Sequence, residues 1–188
     1  MRRGPASWPL DDVVYSEVMN RQALKEITIR AATNDDCDRI KELVSGVLAQ
    51  FGLPFEPESK DSDLSDIEQS YLQSGGLFEV IEDRDRQLIG TYGLFPLTRE
   101  TCELRKMYFV AEIRGRGLGK QVLTRAVSHA RRLGFKTIVL ETISVLDRAV
   151  RLYTHFGFVP MEGAQISARV DQAYMLKLTP MQSSDEGG

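Results

Sequence analysis

A glycine-rich loop between a predicted strand and a strongly periodic helix is the feature that most constrains the fold of this chain. The loop reads Arg-Gly-Arg-Gly-Leu-Gly-Lys over residues 114–120. Glycines let the main chain approach a ligand closely, and the first turn of the following helix has unpaired N–H groups and a partial positive charge. Three cations, Arg114, Arg116 and Lys120, add charge-assisted contacts for phosphate oxygens. The loop therefore predicts a nucleotide or coenzyme site that takes a diphosphate.

Two common phosphate-binding loops do not fit these residues. A P-loop NTPase needs Gly at position 114 and Ser or Thr at position 121, where this chain has Arg114 and Gln121. The dinucleotide fingerprint needs its third glycine at position 120, where Lys120 stands. The alternative to a ligand site is a glycine turn that only joins a strand to a helix.

The order of the predicted elements argues for one mixed α/β sheet with flanking helices. Helical spacing predicts helices over 33–51, 64–72, 118–133 and 147–156, the first of which opens on a capping-box pair, Thr33 and Asp36. Alternation of apolar and polar residues predicts strands over 26–32, 77–82, 87–95, 102–110, 136–141 and 171–178. The short connections between residues 77 and 110 predict an antiparallel meander.

The predicted elements fill one domain over residues 26–179. We expect residues 1–25 to form a flexible extension, with a short amphipathic helix as the alternative for part of it, and residues 180–188 to form a disordered tail. A chain of 188 residues with 42% hydrophobic content can bury a sizeable core without a second domain.

Composition excludes several classes of function. A net charge of −3 gives no general attraction to nucleic acid or to an anionic membrane. The sequence has no run of about 18 apolar residues, so no membrane span is expected. Two cysteines predict no disulfide framework, so a reducing, cytoplasmic setting is expected. The two histidines lie far apart and no cysteine pair has ligand spacing, so no metal site is expected.

Two motifs together resemble the GNAT superfamily of N-acetyltransferases. Arg114-x-x-Gly117-x-Gly119 is similar to the pyrophosphate loop of that family, and Leu152-Tyr153 followed by Gly157-Phe158 is similar to its downstream signature. The resemblance spans about residues 26–178 and is strongest over 103–160. It implies an acyl-CoA N-acyltransferase fold, with a central, mostly antiparallel mixed sheet flanked by helices, and acetyl-CoA as co-substrate.

The resemblance also implies where acetyl-CoA binds. In the family, the strand before the loop separates from its neighbour and offers main-chain groups to pantetheine, which here implicates Met107, Tyr108 and Phe109. Many relatives carry an asparagine seven residues before the tyrosine, where this chain has Leu146, and Ser144 is a candidate replacement. The residues implied to hold the diphosphate are Arg114, Gly115, Arg116, Gly117, Leu118, Gly119 and Lys120.

Acetyl transfer to an amine needs a base for the amine and an acid for the departing thiolate. The resemblance makes Tyr153 the candidate acid, although its helical spacing with Ala149 and Phe156 also fits a core aromatic residue. Glu103 lies where the histone-modifying branch carries its base; pairing with Arg105 or Lys106 is its alternative role. Glu141, at the end of the next strand, is the rival base.

The predicted activity is transfer of an acetyl group from acetyl-CoA to a primary amine on a small molecule, a peptide or a protein. A non-catalytic module that binds acyl-CoA and contacts a partner is the alternative. The acidic stretch over residues 56–68 is either a rim that attracts a cationic amine or a solvated face. Exposed strands at the end of such a sheet commonly pair across a dimer, so a homodimer is expected.

Overall fold

The computed structural model describes residues 27–163 and 169–179, so the predictions for residues 1–25 and 180–188 lie outside the described residues. The strands are β1 (Thr28–Ala31), β2 (Leu77–Glu82), β3 (Leu88–Pro96), β4 (Thr101–Phe109), β5 (Thr137–Thr142), β6 (Val159–Pro160) and β7 (Gln172–Lys177). The α-helices are α1 (Cys37–Gln50), α2 (Leu118–Arg132) and α3 (Asp147–His155).

All seven strands form one mixed sheet in the order β1-β2-β3-β4-β5-β7-β6. Only β4 and β5 run parallel, and every other pair is antiparallel, which confirms the predicted meander and the mixed sheet. Apolar residues alternate between the two faces of β2: Phe78 and Val80 join the core beneath α1, while Ile81 joins the core beneath α2. The sheet therefore lies between two helical layers.

One predicted element was wrong, and one strand was missed. Residues 64–72 do not form an α-helix but a 3₁₀ turn (Ser62–Leu64) followed by a single π turn (Glu68–Leu72). Tertiary contacts compete with helical spacing here, because Asn34 Nδ2 donates to the Asp66 carboxylate at 3.0 Å and Asn34 Oδ1 accepts the Glu68 amide at 3.1 Å. The edge strand β6 was not predicted, since two residues are too few for an alternating pattern to show.

The ladder between β4 and β5 is short, and this opens the sheet at its centre. Pairing runs from Thr101↔Thr137 to Glu103↔Val139 and then stops, although β4 continues to Phe109. A bulge adds one residue to β4 relative to β3 near Lys106, whose φ of 53° lies in the left-handed region. The Thr91 hydroxyl donates to the Lys106 carbonyl at 2.7 Å and fixes the bulge. The far half of β4 is therefore free to line a cavity.

Two glycines provide a matched test of the packing in this sheet. A Cβ at Gly93 would lie 2.6 Å from Tyr71 and 2.8 Å from Phe78, both fully buried, whereas a Cβ at Gly46, on the exposed side of α1, meets nothing within 4 Å. We expect Gly93→Ala to destabilise the fold by about 1–3 kcal/mol because the core is overpacked. Gly46→Ala should stabilise it by about 0.5–1 kcal/mol by removing helix-interior glycine. Urea denaturation measures both; a neutral Gly93→Ala would contradict the packing described.

Candidate active site

A cavity of about 890 Å³ opens where β4 and β5 separate. Its wall runs from the end of α1 along the far half of β4 to the first turn of α2, and returns along α3 and the end of β5. This volume is near the upper end of the range for small-molecule and cofactor sites. The cavity can therefore hold a large ligand together with a second, smaller one.

The head of α2 presents unpaired main-chain donors to this cavity. Gly115 and Gly117 have φ values of 79° and 84°, which glycine adopts without strain. Among the described residues, no hydrogen-bond acceptor is found for the amides from Gly115 to Gly119, whereas the amide of Lys120 already donates to the Gly117 carbonyl at 3.1 Å. Successive free amides at a helix N-terminus form an anion site.

The Arg114 side chain lies beside this anion site. Its Nε donates to the Phe109 carbonyl at 2.8 Å, and its guanidinium carbon lies 5.4 Å from the ring centroid of Phe51. Its Nη2 is buried without a hydrogen-bond partner among the described residues. A buried donor without a partner is costly, so this nitrogen fits an oxygen of a bound ligand.

The other predicted coenzyme residues divide into two groups. Ser144 and Arg116 do not line the cavity; the Ser144 amide and hydroxyl both donate to the Asp171 carboxylate, at 2.7 and 2.6 Å. A Cβ at Gly119 would lie 3.3 Å from Leu152, so glycine brings α2 close to α3. The predicted residues that do line the cavity are Met107, Tyr108, Phe109, Arg114, Gly115, Gly117, Leu118, Gly119 and Lys120.

Tyr153 projects from α3 into the cavity wall and is almost fully buried. Its ring centroid lies 5.8 Å from that of Phe158, so the residue also packs in the core, as the alternative role supposed. Burial raises the pKa of Tyr153 well above its usual range, and the nearby Tyr108 adds to the shift. The phenol is therefore protonated at neutral pH and can donate a proton.

The two candidate bases lie on the same cavity wall, Glu103 on β4 and Glu141 on β5. Glu103 is ion-paired with Arg105, whose Nε donates to Oε2 at 2.7 Å and whose Nη2 lies 2.6 Å from it. Arg105 also stacks over the ring of Phe95, with its guanidinium carbon 3.9 Å from the centroid. The pairing that sequence left open as an alternative for Glu103 is thus present.

A buried charge cluster, which sequence reasoning missed, lies at the end of the cavity away from α2. Asp61 is fully buried and binds Lys106 of β4 and Arg169, which lies just before β7. Asp63 lines the cavity; its Oδ2 accepts the Tyr71 hydroxyl, while its Oδ1 is buried without a hydrogen-bond partner in the described part of the chain. The acidic stretch was the available signal, but its composition does not reveal which carboxylates are buried.

The residues described in the structure contain no group of three His, Cys, Asp or Glu side chains that could hold a metal ion. Within the same ranges, 27–163 and 169–179, every helix is too short or too polar to cross a bilayer.

Known proteins share both the sequence pattern and the fold. YjgM of Escherichia coli, named an uncharacterized N-acetyltransferase, is 37% identical over 145 residues, which cover 74% of this chain and 86% of YjgM. A GNAT-family acetyltransferase structure from Staphylococcus aureus superposes with a TM-score of 0.74 at 23% identity, covering 81% of this chain and 99% of that one. The structure of yncA from Salmonella typhimurium, which contains acetyl-CoA, superposes with a TM-score of 0.65 at 23% identity, covering 86% and 99%.

The profile of the acetyltransferase (GNAT) family matches residues 29–158, a range that includes the sheet from β1 to β5, the loop at the head of α2 and the tyrosine of α3. The chain therefore belongs to the GNAT family of acetyltransferases.

Proposed function

We propose that this protein is an N-acetyltransferase that binds acetyl-CoA in the cavity between β4 and β5 and transfers the acetyl group to a primary amine. The observation that carries the proposal is the run of amides from Gly115 to Gly119 at the head of α2, for which the described residues offer no acceptor and which faces a cavity large enough for a coenzyme and an acceptor. Family membership and the acetyl-CoA in the yncA structure support the choice of coenzyme.

The chain's own residues suit the two parts of the coenzyme that must be recognised. The amides of Gly115–Gly119 and the positive end of α2 suit a diphosphate, and Arg114 Nη2 supplies one further donor beside them. The far half of β4, which has no pairing with β5, places Met107 and Phe109 where their main-chain groups suit the amides of pantetheine, although the Phe109 carbonyl already accepts Arg114 Nε at 2.8 Å. Arg116 contributes its main-chain amide to this run, while neither it nor Ser144 is among the residues that line the cavity.

Transfer joins the amine nitrogen to the acetyl carbon and breaks the bond between that carbon and sulfur. The nitrogen loses a proton, for which Glu103 and Glu141 remain the candidate acceptors, directly or through water. The thiolate gains a proton, for which Tyr153 is the candidate donor, because burial keeps its phenol protonated. Both proton transfers take place within one cavity, as direct transfer requires.

The acceptor occupies the end of the cavity that contains Asp63. The neighbouring cations are already paired, Arg105 with Glu103 and Lys106 with Asp61. Among the described residues, Asp63 Oδ1 instead accepts no hydrogen bond. Lys106 Nζ lies 3.3 Å away and balances the negative charge of Asp63, but it does not donate to this oxygen. An N–H group of the acceptor satisfies that oxygen, which fits an amine substrate.

We also propose a cytoplasmic location and a dimer interface. Cys37 and Cys102 are both buried free thiols, as expected in the reducing cytoplasm, and burial raises the pKa of Cys102 to about 12, which makes it unreactive. The edge strand β6 ends the sheet with Val159 54% exposed, and this edge is the candidate surface for a homodimer.

Calorimetric titration with acetyl-CoA, followed by measurement of thiol release across a panel of primary amines, tests the activity. We expect binding of acetyl-CoA and release of CoA with at least one amine, and the best amine identifies the acceptor class. Binding without turnover of any amine, peptide or protein acceptor would favour the non-catalytic acyl-CoA module.

Gly117 and Gly134 provide a matched test of the diphosphate site. They flank the two ends of α2 with φ values of 84° and 87°, and a Cβ at either meets nothing within 4 Å. Alanine at either position should cost roughly 1–2 kcal/mol of stability from the left-handed backbone. Only Gly117→Ala should weaken acetyl-CoA binding, by about tenfold, because the amides next to it shift. Equal calorimetric Kd values for the two variants would contradict the assignment.

Tyr153→Phe tests the acid. We expect kcat to fall by about 10²-fold or more, with Kd for acetyl-CoA unchanged, because the ring still fills the core but the proton donor is lost. Tyr174→Phe is the matched control: Tyr174 is buried in the same core, its hydroxyl donates to Gln172 at 3.1 Å, and it does not line the cavity. An undiminished kcat in Tyr153→Phe would leave the residue a purely structural role.

A further inference from the structure

Residues 169–171, which we call the crossing segment, bridge the two sides of the cavity. At one end, the Asp171 carboxylate accepts the amide and hydroxyl of Ser144 at 2.7 and 2.6 Å, and the Asp171 amide donates to the Thr142 carbonyl at 3.2 Å. Thr142 is the last residue of β5. This end of the crossing segment is therefore fixed to the β5 side of the gap.

Arg169 fixes the other end of the crossing segment. Its Nη1 and Nη2 donate to the two Asp61 oxygens at 2.7 and 3.1 Å, and Nη1 also donates to the Pro54 carbonyl at 3.0 Å. The Arg169 side chain is 11% exposed and Asp61 is fully buried, so water does not compete for these bonds. A bidentate pair of this kind is strong and geometrically specific.

Asp61 also bonds to β4, through Lys106. It binds the ammonium of Lys106, which also donates to the Lys60 carbonyl at 2.9 Å, and it accepts the amide of Glu56 at 2.9 Å. Burial opposes ionisation of Asp61, but the bonds from Arg169, Glu56 and Lys106 outweigh it and lower its pKa to about 2. The crossing segment, Arg169 and Asp61 thus form a continuous link from the end of β5 to Lys106 at the β4 bulge.

The sheet itself does not set the distance between these two strands. No ladder pair joins β4 to β5 beyond Glu103↔Val139, and the link through Arg169 crosses the gap where the ladder is missing. Arg169 and Val170 both line the cavity, so the crossing segment is part of its wall at the acceptor end.

We infer that Arg169 is a positioning residue that acts through Asp61: it holds the crossing segment against the cavity, limits the size of the acceptor and keeps water from the thioester. This inference rests on the proposed acetyl transfer. Without the link, water takes the place of the amine, attacks the acetyl carbon and breaks its bond to sulfur, which yields acetate and free CoA.

Arg169→Met tests the inference, because it keeps an unbranched, flexible side chain but removes both donors to Asp61. In the presence of acetyl-CoA and no amine, we expect CoA release to rise about fivefold or more, because water reaches the thioester. The kcat/KM ratio of n-butylamine to benzylamine should move toward the bulkier amine by a similar factor. Arg169→Lys, which keeps one donor, should show smaller changes than Arg169→Met in both CoA release and amine selectivity. The calorimetric Kd for acetyl-CoA should not change in either variant.

Lys136→Met is the matched control, since Lys136 is an exposed cation paired with Glu100 outside the cavity. Asp171→Ala removes both bonds to Ser144 at an exposed position and leaves the main-chain bond to Thr142, so it loosens the other end of the crossing segment and should produce smaller changes in the same direction should Arg169→Met fail to fold. A folded Arg169→Met enzyme with unchanged acceptor-free CoA release and unchanged amine selectivity would overturn the inference, and so would an unchanged Asp171→Ala enzyme. Absence of acetyl-CoA binding in the wild-type protein would instead refute the proposed function.

Discussion

The structure depends on the point where β4 and β5 stop pairing. Three residue pairs, ending at Glu103↔Val139, hold the two parallel strands together, and in the described part of the chain no strand pairs with the rest of β4 on that side. The bulge at Lys106 turns β4 at this point, and it places a non-glycine residue in the left-handed region, at a cost of roughly 1–2 kcal/mol. The Thr91 hydroxyl and the Asp61 carboxylate hold Lys106 in this conformation, so the opening in the sheet is a specified feature of the fold.

Within the described residues, the two ends of the opening differ in which polar groups lack hydrogen-bond partners. At the head of α2 the unmatched groups are donors, the amides of Gly115–Gly119 and Arg114 Nη2, so this end accepts oxygen atoms and negative charge. At the other end the unmatched group is an acceptor, Asp63 Oδ1, and the cations around it are paired with carboxylates. Under the proposed function, the anionic coenzyme lies at the first end and the N–H-bearing acceptor at the second, and Tyr153 lines the same cavity.

Local patterns predicted the secondary structure at the α2 end of the cavity, whereas the charge cluster at the other end depends on long-range contacts that such patterns do not show. The loop before α2, the helix that follows it and the meander are encoded by neighbouring residues, so spacing and glycine position were sufficient. Arg169 and Asp61 are 108 positions apart, and no local pattern shows that they meet. The same limit applies to Ser144, which resemblance suggested for the coenzyme and which the structure pairs with Asp171. The roles of Tyr153, Glu103 and Glu141 stay predictions.

Stability alone does not account for the charges at Asp61, Lys106 and Arg169. Ionised groups taken out of water lose several kcal/mol of hydration, and well-packed apolar residues in place of a buried ion pair are often equally or more stabilising. Apolar side chains would fill this space but would not fix three chain segments, 54–61, β4 and 169–171, at set distances from one another. Directional hydrogen bonds do so, since each donor must meet its oxygen at a defined distance and angle. The charged cluster therefore lies at the gap between β4 and β5, where no backbone ladder fixes the width of the cavity.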